Sequence, residues 1–293
     1  MLLVKAQRPE TTERLLGWPQ GIFLLGLAAI LLPTMFDVAR LTWTTEQGGH
    51  APIIVATGGW LLYREITTTK ARPRPGRLWL GALALAGSLV GYFAARVTGI
   101  LEIEGAAMYA AILSAVYLLV GGALLRALWF PIIYHAAALP PPDTLVTLIT
   151  QPLKIGISQT SVALLHCLGY PVASSGVTIQ IANYELLVAA ACAGLNSIIT
   201  LSAICLFYVY LRHRSDLRSF LVVGVLIIPV AVFSNFVRVL TLVLITYYFG
   251  ESAAQGFMHD FAGLTLFLVA LLSIIGVDSL FTNLRLRRQK AEA

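Results

Sequence analysis

Charge is what this 293-residue sequence has least of. Asp, Glu, Lys and Arg together make up 12% of it, against 58% hydrophobic residues. A soluble domain carries about a quarter charged residues, so the composition excludes a water-soluble fold and marks an integral membrane protein. Cysteine is scarce as well. Three cysteines, at 167, 192 and 205, are too few and too scattered for a disulfide framework or a zinc site, and no metal or other cofactor is expected. No small-residue cleavage site follows the first apolar run, so the N-terminus does not read as a signal peptide. Internal repeats and low-complexity tracts are also missing.

What is there is a series of long apolar runs. A spanning helix needs about 20 mostly apolar residues, and eight candidates fall at roughly 18–36, 50–63, 78–97, 103–121, 122–138, 191–211, 219–249 and 260–281. The fourth and fifth meet at "GGALLR", and the seventh is too long for one straight span, with Pro229 inside it. The basic residues fit eight crossings with both termini inside. Segments 1–17, 64–77, 122–127, 212–218 and 282–293 then face the cytoplasm and hold 16 of the 20 Lys and Arg residues. The other four are Arg40, Arg96, Lys154 and Arg238. The net charge of +6 is accounted for by those loops, which face an anionic leaflet, so membrane lipids are expected partners and nucleic acid is not. The expected architecture is all-α: one polytopic membrane domain over 1–293 with about eight spans, and nothing after the last except a basic tail.

The longest non-spanning stretch, about 139–190, is placed on the outer side. "LPPPD" (139–143) ends the fifth candidate. Residues 145–168 then read as an amphipathic helix, with Leu153, Ile157, Leu164, Leu165 and Leu168 near helical spacing among Lys154, Ser158, Gln159 and His166. Such a helix is expected to lie flat on the outer leaflet. "GYPVASSG" (169–176) is turn chemistry. In "VTIQIANYELLV" the alternation of Val177, Ile179 and Ile181 with Thr178 and Gln180 predicts a strand, turned at Ala182-Asn183 into a short hairpin. That hairpin leads directly to Cys192.

Polar residues inside spans are costly, and each is by default a functional candidate. Arg238 lies deep in "FSNFVRVLTLVL", with Asn235 one turn before it on the same face. Taken alone, Arg238 is as well read as a structural cation pairing between helices. His259, in "GFMHDFAGLTLF", opens the eighth candidate. Asp260 beside it either caps the helix or orients the imidazole, and Gly263 lets another helix approach. Alone, His259 is an ordinary interfacial histidine. Cys192 stands at the start of the sixth candidate, where helix dipole and free N–H groups favour a thiolate. Its small neighbours Ala190, Ala191, Ala193 and Gly194 leave room for a substrate backbone. Alone, it is a packing thiol. Cys205 lies 13 residues deeper with no feature suggesting a role, and Cys167 lies in the outer segment.

Together the three change in meaning. One topology brings Cys192, Arg238 and His259 from separate helices to the outer half of the membrane. A thiol nucleophile needs a base, and its tetrahedral intermediate needs a donor for the oxyanion. Cys, His and Arg supply those roles. A transporter with Arg238 and His259 on its path is the alternative from another class, although paired broken helices and an internal repeat are not visible. A non-catalytic membrane protein of polysaccharide assembly is a third reading.

"AACAGLNS", "NFVRVL" and "HDFAGLTLF", in that order, resemble the exosortase/archaeosortase family of membrane-embedded cysteine transpeptidases, as do "GGHAPIIVATGGWLLYR" (48–64) and "LKIGISQTSVALLHCLGYPVASSGVTIQI" (153–181). The resemblance covers most of residues 48–275 and implies catalytic roles for Cys192, Arg238 and His259. It further implies a bacterial inner-membrane enzyme facing the periplasm. Its partners would be exported proteins whose C-terminal sorting signal joins a Pro-Glu-Pro-like motif, a transmembrane helix and a basic tail. Cleavage would pass the protein to an acceptor nucleophile, often where exopolysaccharide is made. Ala193 and Asn196 stand where many members have Ser and Arg after the cysteine.

Overall fold

A computed structural model describes residues 17–45, 48–187, 194–214, 216–250, 252 and 257–292, without the side chains of 143, 145, 187, 194–199, 257–267 and 286–292. The chain divides into two compact units, Met1–Thr44 with Gly58–Pro140, and Thr45–Thr57 with Pro141–Ala293.

The first unit holds α1 (Trp18–Thr42), most of α2 (Ala51–Thr68), α3 (Leu78–Thr98), α4 (Leu101–Ala127) and α5 (Trp129–Ala136). Leu31, Tyr92, Met108 and Ala111 form its buried apolar centre. α4 leaves the helical region at Gly121 (φ 78°, ψ 173°). The chain then turns back on itself. Tyr109 donates from its hydroxyl to the Ile132 carbonyl at 2.7 Å, and a Cβ on Gly105 would touch Leu139 and Pro140. In a continuous helix Tyr109 and Ile132 would be about 35 Å apart. Only glycine suits the turn, because the backbone is left-handed and an added Cβ would lie 2.0 Å from the Arg74 carbonyl oxygen. This is where "GGALLR" separates the fourth and fifth predicted helices. A polar knot closes the other end of the unit. Thr34 donates to Glu104 at 2.5 Å, Arg96 Nη1 donates to Glu104 and Thr34 at 2.8 Å each, and Tyr92 donates to the Ile30 carbonyl at 2.8 Å. Glu104 is buried, so Arg96 and Thr34 supply the charge and hydrogen bonds it would otherwise have taken from water.

The second unit holds α6 (Asp143–Cys167), strands β1 (Val172–Ser175), β2 (Thr178–Ile181) and β3 (Tyr184–Leu187), then α7 (Gly194–His213), α8 (Leu217–Phe249) and α9 (Phe257–Glu292). The predicted hairpin is β2–β3, closed at Ala182-Asn183 with Ile181 opposite Tyr184. The sheet gains a third strand, because part of "GYPVASSG" pairs instead of turning. β1 lies antiparallel to β2 with Ser175 opposite Thr178, and only Gly176-Val177 turns, Gly176 at φ 61°. As the alternation predicted, Ile179 and Ile181 are buried and Gln180 is exposed. Their core partners are Ile157 and Leu165 of α6 and Val239 and Val243 of α8.

The predicted amphipathic helix is present as α6, with Ile157 and Leu165 buried and Gln159 and His166 exposed, but its faces match the expectation only in part. Ser158, expected among the polar exposed residues, is fully buried together with Ser161, while Leu164 and Leu168 are exposed. α6 turns Ser158 and Ser161 towards the protein beside Ile157 and Leu165 and packs along α8, small polar residues letting the two helices approach closely.

Among the described residues, five helices are long and apolar enough to cross a membrane: Trp18–Thr42, Leu78–Thr98, Leu101–Ala127, Leu217–Phe249 and Leu268–Arg285. The other three of the eight predicted spans fall short of that standard for separate reasons. α2 carries Arg64 and Glu65 near its end. α5 is eight residues long, set off from α4 by a break at Leu128. The start of the sixth candidate lies outside the described residues. α8, with Pro229 inside it, is one 33-residue helix, about 50 Å long and well beyond the roughly 30 Å hydrocarbon thickness.

Candidate functional site

Midway along α8 a polar stripe is buried, Ser234, Asn235 and Arg238, with Ser219 and Thr246 buried nearer its two ends. Arg238 is 3% exposed and Asn235 2%. The stripe follows from spacing, since positions three and four apart share a helix face. Ser234 returns its hydroxyl to the Val230 carbonyl at 2.8 Å, whereas Asn235 Oδ1 has no hydrogen-bond partner among the described residues. The same is true of the Ser158 and Ser161 hydroxyls on α6. Unsatisfied buried polar atoms are costly in a natural fold and accumulate at working sites. Asn235 was found from the sequence by its place one turn from Arg238. Ser158 and Ser161 were not singled out, because helical periodicity alone does not say which face a membrane helix buries.

The remaining predicted site residues are less fully described. Cys192 lies outside the described residues, two positions before α7 begins. Asn196 belongs to α7, and His259, Asp260 and Gly263 to α9, without described side chains. The helices nevertheless fix backbone levels. α8 and α9 are antiparallel: Arg218 and Val222 line one groove with Phe281 and Arg285, and Leu226 and Phe233 line the next with Leu280 and Ser273. Extended along both helices, that register sets Arg238 opposite about residues 265–268, about 9–14 Å along the axis from His259. α7 runs parallel to α9, since only three residues separate it from α8, on which it packs through Tyr210 and Phe220.

A second polar cluster lies at the far end of α7 and α9. The Asp278 carboxylate, nearly inaccessible, accepts from His213 Nε2 at 2.5 Å and from the Tyr208 hydroxyl at 3.0 Å, with Arg212 Nε at 3.7 Å. An acid inside an apolar run was a usable sequence signal for Asp278, and it was not read. At the opposite end of α8, Tyr170 and Tyr248 share a 2.8 Å hydrogen bond that pushes the Tyr170 hydroxyl pKa up. Tyrosines of this kind settle at the membrane–water boundary. Among the described residues no group of His, Cys, Asp and Glu could hold a metal ion.

A helical membrane protein with a small sheet and a buried Asn–Arg pair in a spanning helix is the class these features define. Residues 42–276 match the family model described as transmembrane exosortase, and the chain belongs to that family. No curated protein and no solved structure matches it.

Proposed function

We propose that this protein is a cysteine protease/transpeptidase that cleaves the C-terminal sorting signal of exported proteins at the outer face of the bacterial inner membrane. Arg238, a cation buried in a spanning helix of an exosortase-family chain, is the observation that carries the reading. Cys192 attacks the scissile carbonyl as a thiolate after passing its proton to His259. Arg238 donates to the oxyanion that forms. His259 then protonates the leaving amine as the carbonyl re-forms, leaving a thioester on Cys192. An acceptor amine resolves the thioester by transpeptidation, or water resolves it by hydrolysis. The substrate signal is a Pro-Glu-Pro-like motif followed by a transmembrane helix and a basic tail, and the released protein goes to the surface or to exopolysaccharide. Both termini of the enzyme are cytoplasmic.

The test is to trap the thioester. With a sorting-signal substrate and no acceptor, acid-quenched enzyme should carry an adduct on Cys192 that hydroxylamine removes. Cys192→Ala should form no adduct and no mature product, while Cys205→Ala should form both. Normal maturation by Cys192→Ala would exclude thiol catalysis.

A further inference from the structure

The groove between α8 and α9 carries a second chemistry, at the end of α8 away from Arg238. Its mouth, about 320 Å³, is lined by Arg218, Ser219 and Val222 of α8 and by Phe281, Leu284 and Arg285 of α9. Arg285 Nη1 donates to Asp216 and, at 2.7 Å, to Ser219, so the guanidinium is anchored at the mouth. Arg285 and Ser219 hold the Asp216 carboxyl well below the usual carboxylate range, so it stays charged at neutral pH. Asp216 offsets one of the two arginines, and Arg218, exposed, adds the unbalanced positive charge.

Beyond the mouth the groove changes character along the helix axes. A second cavity of about 480 Å³, a trough, lies one helical turn further along, between Leu226 and Phe233 of α8 and Gly276 and Leu280 of α9. From Arg218 to Phe233 it runs about 22 Å, more than the roughly 15 Å of hydrocarbon in one leaflet. Arg218 precedes the apolar run of α8 and Arg285 follows that of α9, and charged side chains at the ends of spans reach the membrane–water boundary, which puts the trough at acyl-chain depth. A free anion would use only the mouth. A charged mouth in line with an apolar trough parallel to the spans has the chemical profile of a phospholipid.

We propose that the α8–α9 groove binds one anionic phospholipid, its phosphate between Arg218 and Arg285 and one acyl chain along Val222, Leu226, Phe233 and Leu280. Two variants test this without touching the catalytic proposal. Arg218→Gln leaves the Asp216–Arg285–Ser219 contacts in place. Gly276→Leu fills the trough, and a Cβ at Gly276 meets nothing within 4 Å, so the fold accepts it. The full chain would be purified in detergent and titrated with palmitoyl-oleoyl phosphatidylglycerol or phosphatidylcholine, bound lipid being counted by native mass spectrometry. The expected result is one phosphatidylglycerol per chain, retained at least about fivefold better than phosphatidylcholine, with Arg218→Gln weakening it about fivefold and Gly276→Leu lowering retention of either lipid. Equal retention of the two lipids, unchanged retention in either variant, or complete competition by millimolar inorganic phosphate would overturn the proposal. So would a lipid-free dimer burying this face.

Discussion

Asp278 and His213, 65 residues apart in the chain, meet at 2.5 Å and tie α9 to α7 at the ends remote from His259 and Cys192. Because the two helices are parallel, that contact fixes how far one can slide along the other. His259 lies 19 residues before Asp278, about 28 Å up the axis, and Gly194 lies 14 and 19 residues before Tyr208 and His213, about 21–28 Å up. The start of α7 at Gly194, two residues after the proposed nucleophile, therefore lies within about 7 Å of the level of His259 along the axis.

Removing the buried carboxylate tests this. Asp278→Ala leaves His213 and Tyr208 facing an apolar interior, and breaking a buried polar pair costs about 3–5 kcal/mol. Tyr208→Phe removes one hydrogen bond, about 1 kcal/mol. The melting temperature in detergent should fall in that order, and substrate processing should slow more in Asp278→Ala than in Tyr208→Phe. An unchanged melting temperature in Asp278→Ala would show that the contact holds nothing.

Arg238→Lys separates charge from geometry. Lysine keeps the cation but loses the planar fork of donors. Loss of one oxyanion donor costs roughly 10²–10³ in rate, so Arg238→Lys should insert normally and process substrate at least about tenfold more slowly. His259→Ala should be at least as severe, since thiol activation and leaving-group protonation both suffer. The reading is the mature-to-precursor ratio over time, normalised to enzyme in the membrane. Wild-type rates in Arg238→Lys would return Arg238 to a structural role.

Gly121→Ala should destabilise the first unit by at least about 2 kcal/mol, since the left-handed backbone and the Arg74 carbonyl both oppose a Cβ. Gly122→Ala is the control, because its Cβ would meet only the Tyr117 ring, at 3.4 Å. Lower membrane levels and a lower melting temperature are expected for the first variant alone. Equal behaviour of the two would mean that the chain reverses elsewhere.

The elements whose signal is local were legible in the sequence. Apolar length found α1, α3, α8 and much of α9, and the alternation around Gln180 found β2 with the correct face inward. β1 was missed because "VASS" has only one large apolar residue and little burial to gain, so its pairing comes from β2. The faces of α6 were legible in part: Ile157 and Leu165 point inward and Gln159 and His166 outward, but Ser158 is buried and Leu164 and Leu168 are exposed, because polarity alone marks the outside only where the surroundings are water. Arg238 and Asn235 stood out because a guanidinium and an amide within an apolar run are expensive. Asp278 carried the same signal, but its partners Tyr208 and His213 lie in another helix, and single-helix periodicity does not join them.

The sheet also sets a clock. β2 is bonded on both edges, and its Ile179 and Ile181 are sealed against Val239 and Val243, the former adjacent to Arg238 in the chain. Its amides can exchange with solvent deuterium only when the sheet parts from α8. β1, an edge strand with exposed residues at three of its four positions, can lose and regain deuterium by fraying alone. The lifetime of the β2 amides thus reports how often the surface beside Arg238 opens to water, and it can be followed peptide by peptide.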